Sequence, residues 1–364
     1  MRIVIDVSPL SVPRTGIGNY VRALVAGLLE VGGDRHEVVA FGPSGPRGRG
    51  RIREALAGPR RPELRLPLLP RAQWWRTGWS RLGRPDVETV VGPLDVFHFS
   101  DWMYPPQRGG VRVTTVHDLV PLRFPDLVER QTRRMHGPKY ENATRTCDLL
   151  FANSRFTAGE LVGLLDVPEE RIEVAYPGVD PIFTPEGARA DLGGPYVLVV
   201  STLEPRKNLP TLVDGFQLLR RRRPELTLAL TGPSGWERRS LAAEGVRLLG
   251  YVPDDELARL YRGASAFAYS SQFEGFGIPV VEALACGVPT VVSSHPSLDE
   301  ASGDVAWRAD PDEPEAFAEA LEQALEAPAE TRERGIAHAA QFTWRALGEA
   351  VLAGYERALP DSSA

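Results

Sequence analysis

The strongest constraint in this sequence is a pattern that runs once, breaks, and starts again. Short runs of Val, Ile, Leu and Phe lie near 2–7, 37–41, 95–99, 111–116 and 148–152. Helix-length amphipathic stretches, 18–31 and 155–165 among them, separate the runs. Such alternation predicts parallel strands joined by helical crossovers. At 176–187, YPGVDPIFTPEG, three prolines and two glycines interrupt the periodicity and mark a linker. The series resumes with YVLVV (196–200), a helix over 208–222, LTLAL (226–230) and strands near 246–249, 266–269 and 289–292. The predicted class is α/β: two doubly wound domains, 1–178 and 179–342, with a ligand expected in a cleft between them, and a helical tail over 343–364. Helices over 312–327, 329–340 and 343–358 follow from Ala, Leu and Phe at three- and four-residue spacing.

Composition removes several classes. A chain of 364 residues, 43% apolar and 25% charged, can bury two cores and is not of disordered type. No apolar run approaches the roughly 18 residues that span a bilayer, and MRIVIDV reads as a strand rather than a signal peptide, so a cytoplasmic location is expected. Cys147 and Cys286 stand alone and the six histidines form no H-x-x-x-H pair, so neither a disulfide framework nor a metal site is expected. Residues 42–62, rich in Gly, Pro and Arg, read as a loop with a short helix. The net charge of −6 conceals a split, with residues 1–180 at +4 and the remainder at −10. Of the 42 basic residues only Lys139 and Lys207 are lysines, which a codon-biased genome explains most simply.

Four segments carry chemistry. In SSQFEGFGIPVVEALACGVPTVV (270–292), Glu274 precedes Gly275-Phe276-Gly277, and Pro279 suits the first turn of a helix. A helix N-terminus behind a Gly-rich loop can take a phosphate on its free N–H groups. Glu282, one turn further on, can accept hydrogen bonds from sugar hydroxyls; alternatively both glutamates are simply acidic residues near a helix start. In STLEPRKNLPTLVDGF (201–216), Arg206 and Lys207 follow a strand, where doubly wound folds place ligands, and together suit a diphosphate; the alternative is a solvated helix start capped by Asn208. SPLSVPRTGIGNYVRALVAGL (8–28) holds Gly16 and Gly18 in a loop, but Val21 replaces the third glycine of a dinucleotide fingerprint and no acidic residue ends the next strand, which disfavours a nicotinamide enzyme. VTTVHDLVPLRFP (113–125) sets His117 and Asp118 at a strand end, where His117 can meet a sugar or the reacting centre and Asp118 can orient it or help position an acceptor, unless the pair is merely structural.

Thr-Gly-Ile-Gly-Asn-Tyr, Val-His-Asp-Leu, Leu-Glu-Pro-Arg-Lys-Asn-Leu and Glu-Gly-Phe-Gly-Ile-Pro-Val-Val-Glu-Ala-Leu, in this order, resemble glycosyltransferase family 4, retaining enzymes of the GT-B fold. The likeness spans nearly the whole chain and is most specific in the second half. It implies two Rossmann-like domains, an acceptor side at 1–178, a nucleotide-sugar side at 179–342, and a last helix near 343–358 that crosses back to the first domain. It further implies that Glu282 binds the ribose, Glu274 the sugar hydroxyls, and Arg206 with Lys207 the diphosphate of the leaving group. Gly275, Phe276, Gly277 and Ile278 would hold the donor, with Gly16 across the cleft and His117 facing the sugar. No cofactor or metal is implied, the nucleotide sugar being a co-substrate; the sequence has no convincing D-x-D, and Asp254-Asp255 reads as the cap of a helix over 255–262. Lacking a placed carboxylate nucleophile, the expected transfer is a front-face one in which the leaving phosphate takes the acceptor's proton; a covalent intermediate on Glu274 stays open.

The acceptor half holds the least family-like stretch. Between Arg47 and Arg84 there are 11 Arg against Glu54 and Glu63, with Trp74, Trp75 and Trp79 interleaved. It suits an acceptor contact, a lipid-pyrophosphate or the inner face of an anionic membrane; the alternative is that the tryptophans pack one helix onto the domain and the arginines reflect composition. Nucleic acid is disfavoured by the acidic chain and the lack of a binding module. The motif wording resembles bacterial mannosyltransferases of polysaccharide or glycolipid assembly, which suggests GDP-mannose and a saccharide or lipid-linked acceptor. A UDP-sugar glucosyl- or N-acetylhexosaminyltransferase is the alternative, and an epimerase or a non-catalytic sugar-binding protein are the readings from other classes.

Overall fold

A computed structural model describes residues 1–13, 15–100, 103–128, 130–233, 235 and 241–360. Arg14 of the 8–28 segment and residues 361–364 of the tail lie outside them. The chain divides into two compact units, Met1–Gly178 with Thr343–Ala364, and Val179–Phe342.

The first unit holds seven strands: β1 (Arg2–Asp6), β2 (Glu37–Phe41), β3 (Glu63–Arg65), β4 (Val96–Phe99), β5 (Val111–Val116), β6 (Leu149–Ala152) and β7 (Ile172–Val174). They form one parallel sheet in the order β3-β2-β1-β4-β5-β6-β7. The second unit contributes β8 (Tyr196–Val200), β9 (Thr227–Thr231), β10 (Val246–Gly250), β11 (Ala266–Tyr269), β12 (Thr290–Ser293) and β13 (Trp307–Ala309), again parallel, in the order β10-β9-β8-β11-β12-β13. Each sheet is doubly wound, and its strand order reverses between β1 and β4 and between β8 and β11. Loops leaving the carboxyl ends of those strand pairs diverge and leave a crevice. The central strands β4, β5, β6 and β11 are buried at every position, which accounts for the unbroken apolar runs of β6 and β11.

The strands that the sequence did not reveal are the three-residue β3, β7 and β13, reading ELR, IEV and WRA. All three are sheet edges. A short, charged strand protects an edge from unwanted pairing, and the same property removes its apolar signature. The stretch 42–62 contains a helix, Pro46–Ala55, that buries Ile52. The helix between β5 and β6, whose bounds the sequence left open, is Arg130–Thr146; it carries Pro138 inside and little apolar character.

The helix Gly16–Gly32 and the last helix, Trp344–Ala358, cross within the first unit. Two glycines permit the approach: a Cβ on Gly27 would lie 2.0 Å from the Trp344 carbonyl oxygen, and one on Gly348 would lie 2.4 Å from the Gly27 carbonyl carbon. Leu347, Val351 and Tyr355 of the last helix thereby join the core under Leu24 and Leu28. Thr343 caps that helix, its hydroxyl accepting from the Ala346 N–H at 3.0 Å. Among the described residues no helix is long and apolar enough to cross a membrane, and no group of three His, Cys, Asp or Glu side chains is placed to hold a metal ion.

Candidate functional site

The second unit gathers its polar groups at the β8/β11 reversal. After β8 the chain makes one tight turn, Pro205–Lys207, and after β11 it runs through Ser270–Gly277 into the helix Ile278–Ala285. The two loops are stitched together by the Ser270 hydroxyl donating to the Lys207 carbonyl at 2.7 Å and the Gln272 N–H donating to the Arg206 carbonyl at 2.9 Å. Arg206 and Lys207 meet there with Glu274, which is remote from them in sequence. Glu274 Oε1 accepts from the Lys207 ammonium and, at 2.9 Å, from the Tyr269 hydroxyl, while Oε2 accepts from Arg206 Nη1 at 3.0 Å. Lys207 Nζ also donates to the Tyr269 oxygen at 2.8 Å, and Arg206 Nε donates to Glu204 at 3.0 Å.

Lys207 and Glu274 are both buried, so their charges are held only because each faces an opposite one. Burial pushes the Glu274 pKa up, but Arg206 and Lys207 more than offset that and hold it at about 2. Burial draws the Lys207 pKa down, Arg206 adds to the effect, and Glu274 opposes it. Among the described residues, Glu204, Arg206, Lys207 and Glu274 therefore form an ionic network of two cations and two carboxylates.

Gly277 precedes the helix at φ 101°, in the left-handed region, and a Cβ there would lie 2.9 Å from Leu298 Cδ2. Only glycine suits that position without strain. Gly275, Phe276, Gly277 and Ile278 form the entry to the helix, with Pro279 in its first turn. The Phe276 ring is buried against Phe342, 5.2 Å between centroids. Glu282 lies inside the helix, 4% exposed, and accepts from the Tyr261 hydroxyl at 3.1 Å.

Sequence reasoning missed Glu204, Tyr261, Tyr269 and Ser297, whose hydroxyl accepts from the Glu274 N–H at 3.0 Å. Tyr269 could have been found, since it ends a strand at the edge where ligands collect; Tyr261 sits in an ordinary amphipathic helix and gave no sign. Two smaller expectations are corrected. Asn208 stands before the helix Leu209–Arg220 at φ 52°, but its side chain does not cap it: Oδ1 accepts from the Thr211 hydroxyl at 2.7 Å and Nδ2 donates to the Pro311 carbonyl at 2.5 Å. Asp254 and Asp255 are the first residues of the helix Asp254–Gly263 rather than its cap, which is Pro253.

In the first unit Gly16 opens a helix rather than sitting in a loop, because Thr15 caps it by accepting from the Gly18 N–H at 3.1 Å. His117 and Asp118 follow β5, but Asp118 does not orient His117. Its Oδ1 accepts from the Val120 N–H at 3.1 Å and so starts the turn Val120–Arg123. His117 instead meets Tyr20 edge-on, 4.9 Å between ring centroids, and burial followed by the nearby His136 pulls its pKa down to about 4. His117 lines a narrow cavity of about 10 Å³ with Asp6, Tyr20, His98, Ser100 and Thr115, at the β1/β4 reversal. Asp6, also missed by sequence reasoning, is buried there and accepts from the Ser100 hydroxyl and, at 2.8 Å, from the Ser8 N–H. Trp74 and Trp75 do not pack the helix Ala72–Leu82 onto the unit; they are 80% and 59% exposed, while Ala72 and Arg76 are buried and Trp79 meets Phe41 edge-on.

Two doubly wound parallel-sheet units with ionisable groups at their reversal points define an α/β protein of the GT-B class. The fold is shared with sucrose-phosphate synthase from Thermosynechococcus elongatus (TM-score 0.71, 18% identity, 98% of each chain). It is shared too with the Anabaena protein HepE solved with UDP-glucose (TM-score 0.70, 16% identity, 98% of this chain and 100% of that one). In sequence, residues 14–183 match glycosyltransferase family 4 and residues 184–342 match the glycosyl transferases group 1. O-antigen chain mannosyltransferase B of Escherichia coli is 30% identical over 94% of this chain and 96% of its own. D-inositol 3-phosphate glycosyltransferase of Mycolicibacterium gilvum is 33% identical over 77% of this chain and 70% of its own. The chain belongs to the family 4 glycosyltransferases and is a transferase enzyme.

Proposed function

We propose that this enzyme moves mannose from GDP-mannose to a saccharide or lipid-linked acceptor with retention of anomeric configuration and without a metal ion. The carrying observation is the convergence of Arg206 and Lys207 beside the entry to the helix Ile278–Ala285. On this reading the two cations hold the diphosphate and offset the charge that grows on the leaving group, the work a metal ion does elsewhere. The N–H groups of Phe276, Gly277 and Ile278 assist from the helix end, Gly275 keeps the loop narrow, and Glu282 takes the ribose. Glu274 binds sugar hydroxyls and, through both its oxygens, aims the two cations. A carboxylate accepting from Lys207, Tyr269 and Arg206 is a poor nucleophile, which supports front-face attack, with the leaving phosphate taking the acceptor's proton. His117 is read as the residue that faces the sugar, and Gly16 as a contact for the donor. The mannosyltransferase relative supports mannose as the sugar; the HepE structure solved with UDP-glucose favours the UDP-glucose alternative. Thermal shift with GDP-, UDP-, ADP- and TDP-sugars separates them: GDP-mannose is expected to raise the Tm most, and a shift with none of the four refutes a nucleotide-sugar donor.

Association with the inner face of an anionic membrane completes the reading. Trp74, Trp75, Arg81 and Leu82 share one outward helix face, in a stretch where Arg outnumbers Glu 11 to two. Tryptophan favours the interface and arginine the lipid phosphates. Flotation with anionic vesicles at low salt is expected to carry the protein upward, and to fail for Trp74→Ala/Trp75→Ala.

A further inference from the structure

We infer that Tyr355, in the last helix of the chain, is a positioning residue for His117, acting through a directed chain of buried hydrogen bonds. The inference rests on the reading above that His117 faces the sugar. Its links all lie in the first unit. His98 on β4 joins Tyr355 and Thr115: Nδ1 lies 2.6 Å from the Tyr355 hydroxyl and Nε2 lies 2.9 Å from the Thr115 hydroxyl. Thr115 Oγ1 donates to the Tyr20 hydroxyl at 3.3 Å, and the Tyr20 hydroxyl donates to the Ala175 carbonyl at 3.5 Å. Tyr355, His98, Thr115 and Tyr20 are all buried.

The chain has one direction. Among the described residues the Tyr355 hydroxyl has no other hydrogen-bond partner, so its proton goes to His98 Nδ1 or to nothing. A buried hydroxyl proton left without an acceptor is costly. His98 Nδ1 therefore accepts, which puts the imidazole's single proton on Nε2, where it is donated to Thr115 Oγ1. Having accepted there, Thr115 gives its own proton to Tyr20, and Tyr20 gives its proton to Ala175. Burial first, then the nearby His117 and Lys139, draw the His98 pKa down to about 3, so the ring is neutral at pH 7 and carries one proton, as the chain requires.

The far end of this chain is the wall against which His117 rests. Thr115 and His117 are two residues apart at the end of β5, and the Tyr20 ring meets the His117 ring edge-on at 4.9 Å and 82°. Tyr20 is thus tied at its hydroxyl by Thr115 and Ala175 while its ring sets the plane of His117. The last helix joins the β1/β4 reversal in this way, although Tyr355 is 238 residues from His117 in sequence.

Tyr355→Phe keeps the ring and removes only the donor. His98 Nδ1 then has no proton to accept, the imidazole can shift its proton, and the direction of the chain is lost. Nitrogen-15 histidine NMR on the full-length protein reads this without any substrate, with His98→Gln and His117→Ala assigning the two signals. Wild type is expected to show a neutral Nε2-protonated His98, and Tyr355→Phe is expected to move both the His98 and His117 ring signals while the melting curve stays cooperative. A His117 signal that does not move, or a wild-type His98 protonated on Nδ1, overturns the inference. GDP release from GDP-mannose tests the consequence. Tyr355→Phe is expected to lower kcat on the order of tenfold, with donor KM within about twofold. It should have no further effect in the His117→Ala background. Additive losses in the double variant show a merely structural role. A His117→Ala enzyme that turns over normally removes the assigned role of His117 instead, and the NMR result then still decides whether Tyr355 orients that ring.

Discussion

Glu274→Gln tests the ionic network directly, because it preserves shape and removes one charge. In the native protein the Glu274 pKa is held at about 2 against an ordinary 4.5. A group whose pKa falls on folding stabilises the fold above its unfolded pKa and loses that contribution as pH drops through the folded one. At 1.36 kcal/mol per pH unit the contribution is about 3 kcal/mol at pH 7 and about 1 kcal/mol at pH 3. Removing one partner of a buried ion pair independently suggests about 3 to 5 kcal/mol. Glu274→Gln is therefore expected to lose about 3 kcal/mol at neutral pH, or roughly 6 to 12 °C in the melting of the second unit. Urea unfolding of wild type and variant from pH 7 to pH 3 is the assay. The gap between them should close by about 2 kcal/mol over that range, since the other carboxylates titrate alike in both. A gap under about 0.5 kcal/mol at pH 7, or one that does not narrow in acid, would refute the argument that Glu274 is ionised and held by both cations.

Lys207→Met is expected to weaken GDP-mannose binding by about a hundredfold or more, since an anion loses a buried charge-assisted partner; isothermal titration reads it, and undiminished affinity would remove Lys207 from the diphosphate site. Gly27→Ala is expected to cost about 3 kcal/mol by forcing apart the helices Gly16–Gly32 and Trp344–Ala358, because its Cβ would lie 2.0 Å from a carbonyl oxygen. Proteolysis of the C-terminal helix should accelerate accordingly, and an unchanged digestion pattern would contradict the close crossing. Gly277→Ala, at φ 101° and against Leu298, is expected to cost about 1 to 3 kcal/mol and to lower donor affinity with it; differential scanning calorimetry with and without nucleotide separates the two effects.

The sequence by itself determined the class of the fold and the identity of the family. Central strands such as Leu149–Ala152 and Ala266–Tyr269 are buried on both faces, so their apolar runs could not be mistaken. The Glu-Gly-Phe-Gly-Ile-Pro segment announced a turn and a helix start because glycine at positive φ and proline in a first turn are local requirements. Edge strands such as Glu63–Arg65 were invisible, since a three-residue charged strand owes its existence to the neighbour it pairs with. Tertiary structure alone decided the rest. Sequence placed Arg206 and Lys207 beside each other but could not show Glu274, 67 residues from Lys207, closing the charge between them. It set Asp118 next to His117, yet the Val120 N–H was nearer to hand and claimed the carboxylate. It offered no reason to join Tyr355 to His98, because a hydrogen bond between a last helix and a fourth strand exists only once the helix has crossed at Gly27 and Gly348. Local propensity acts through neighbours along the chain and is therefore written in the sequence. Hydrogen bonds and ion pairs are formed by proximity in space, which the packing of the whole unit supplies.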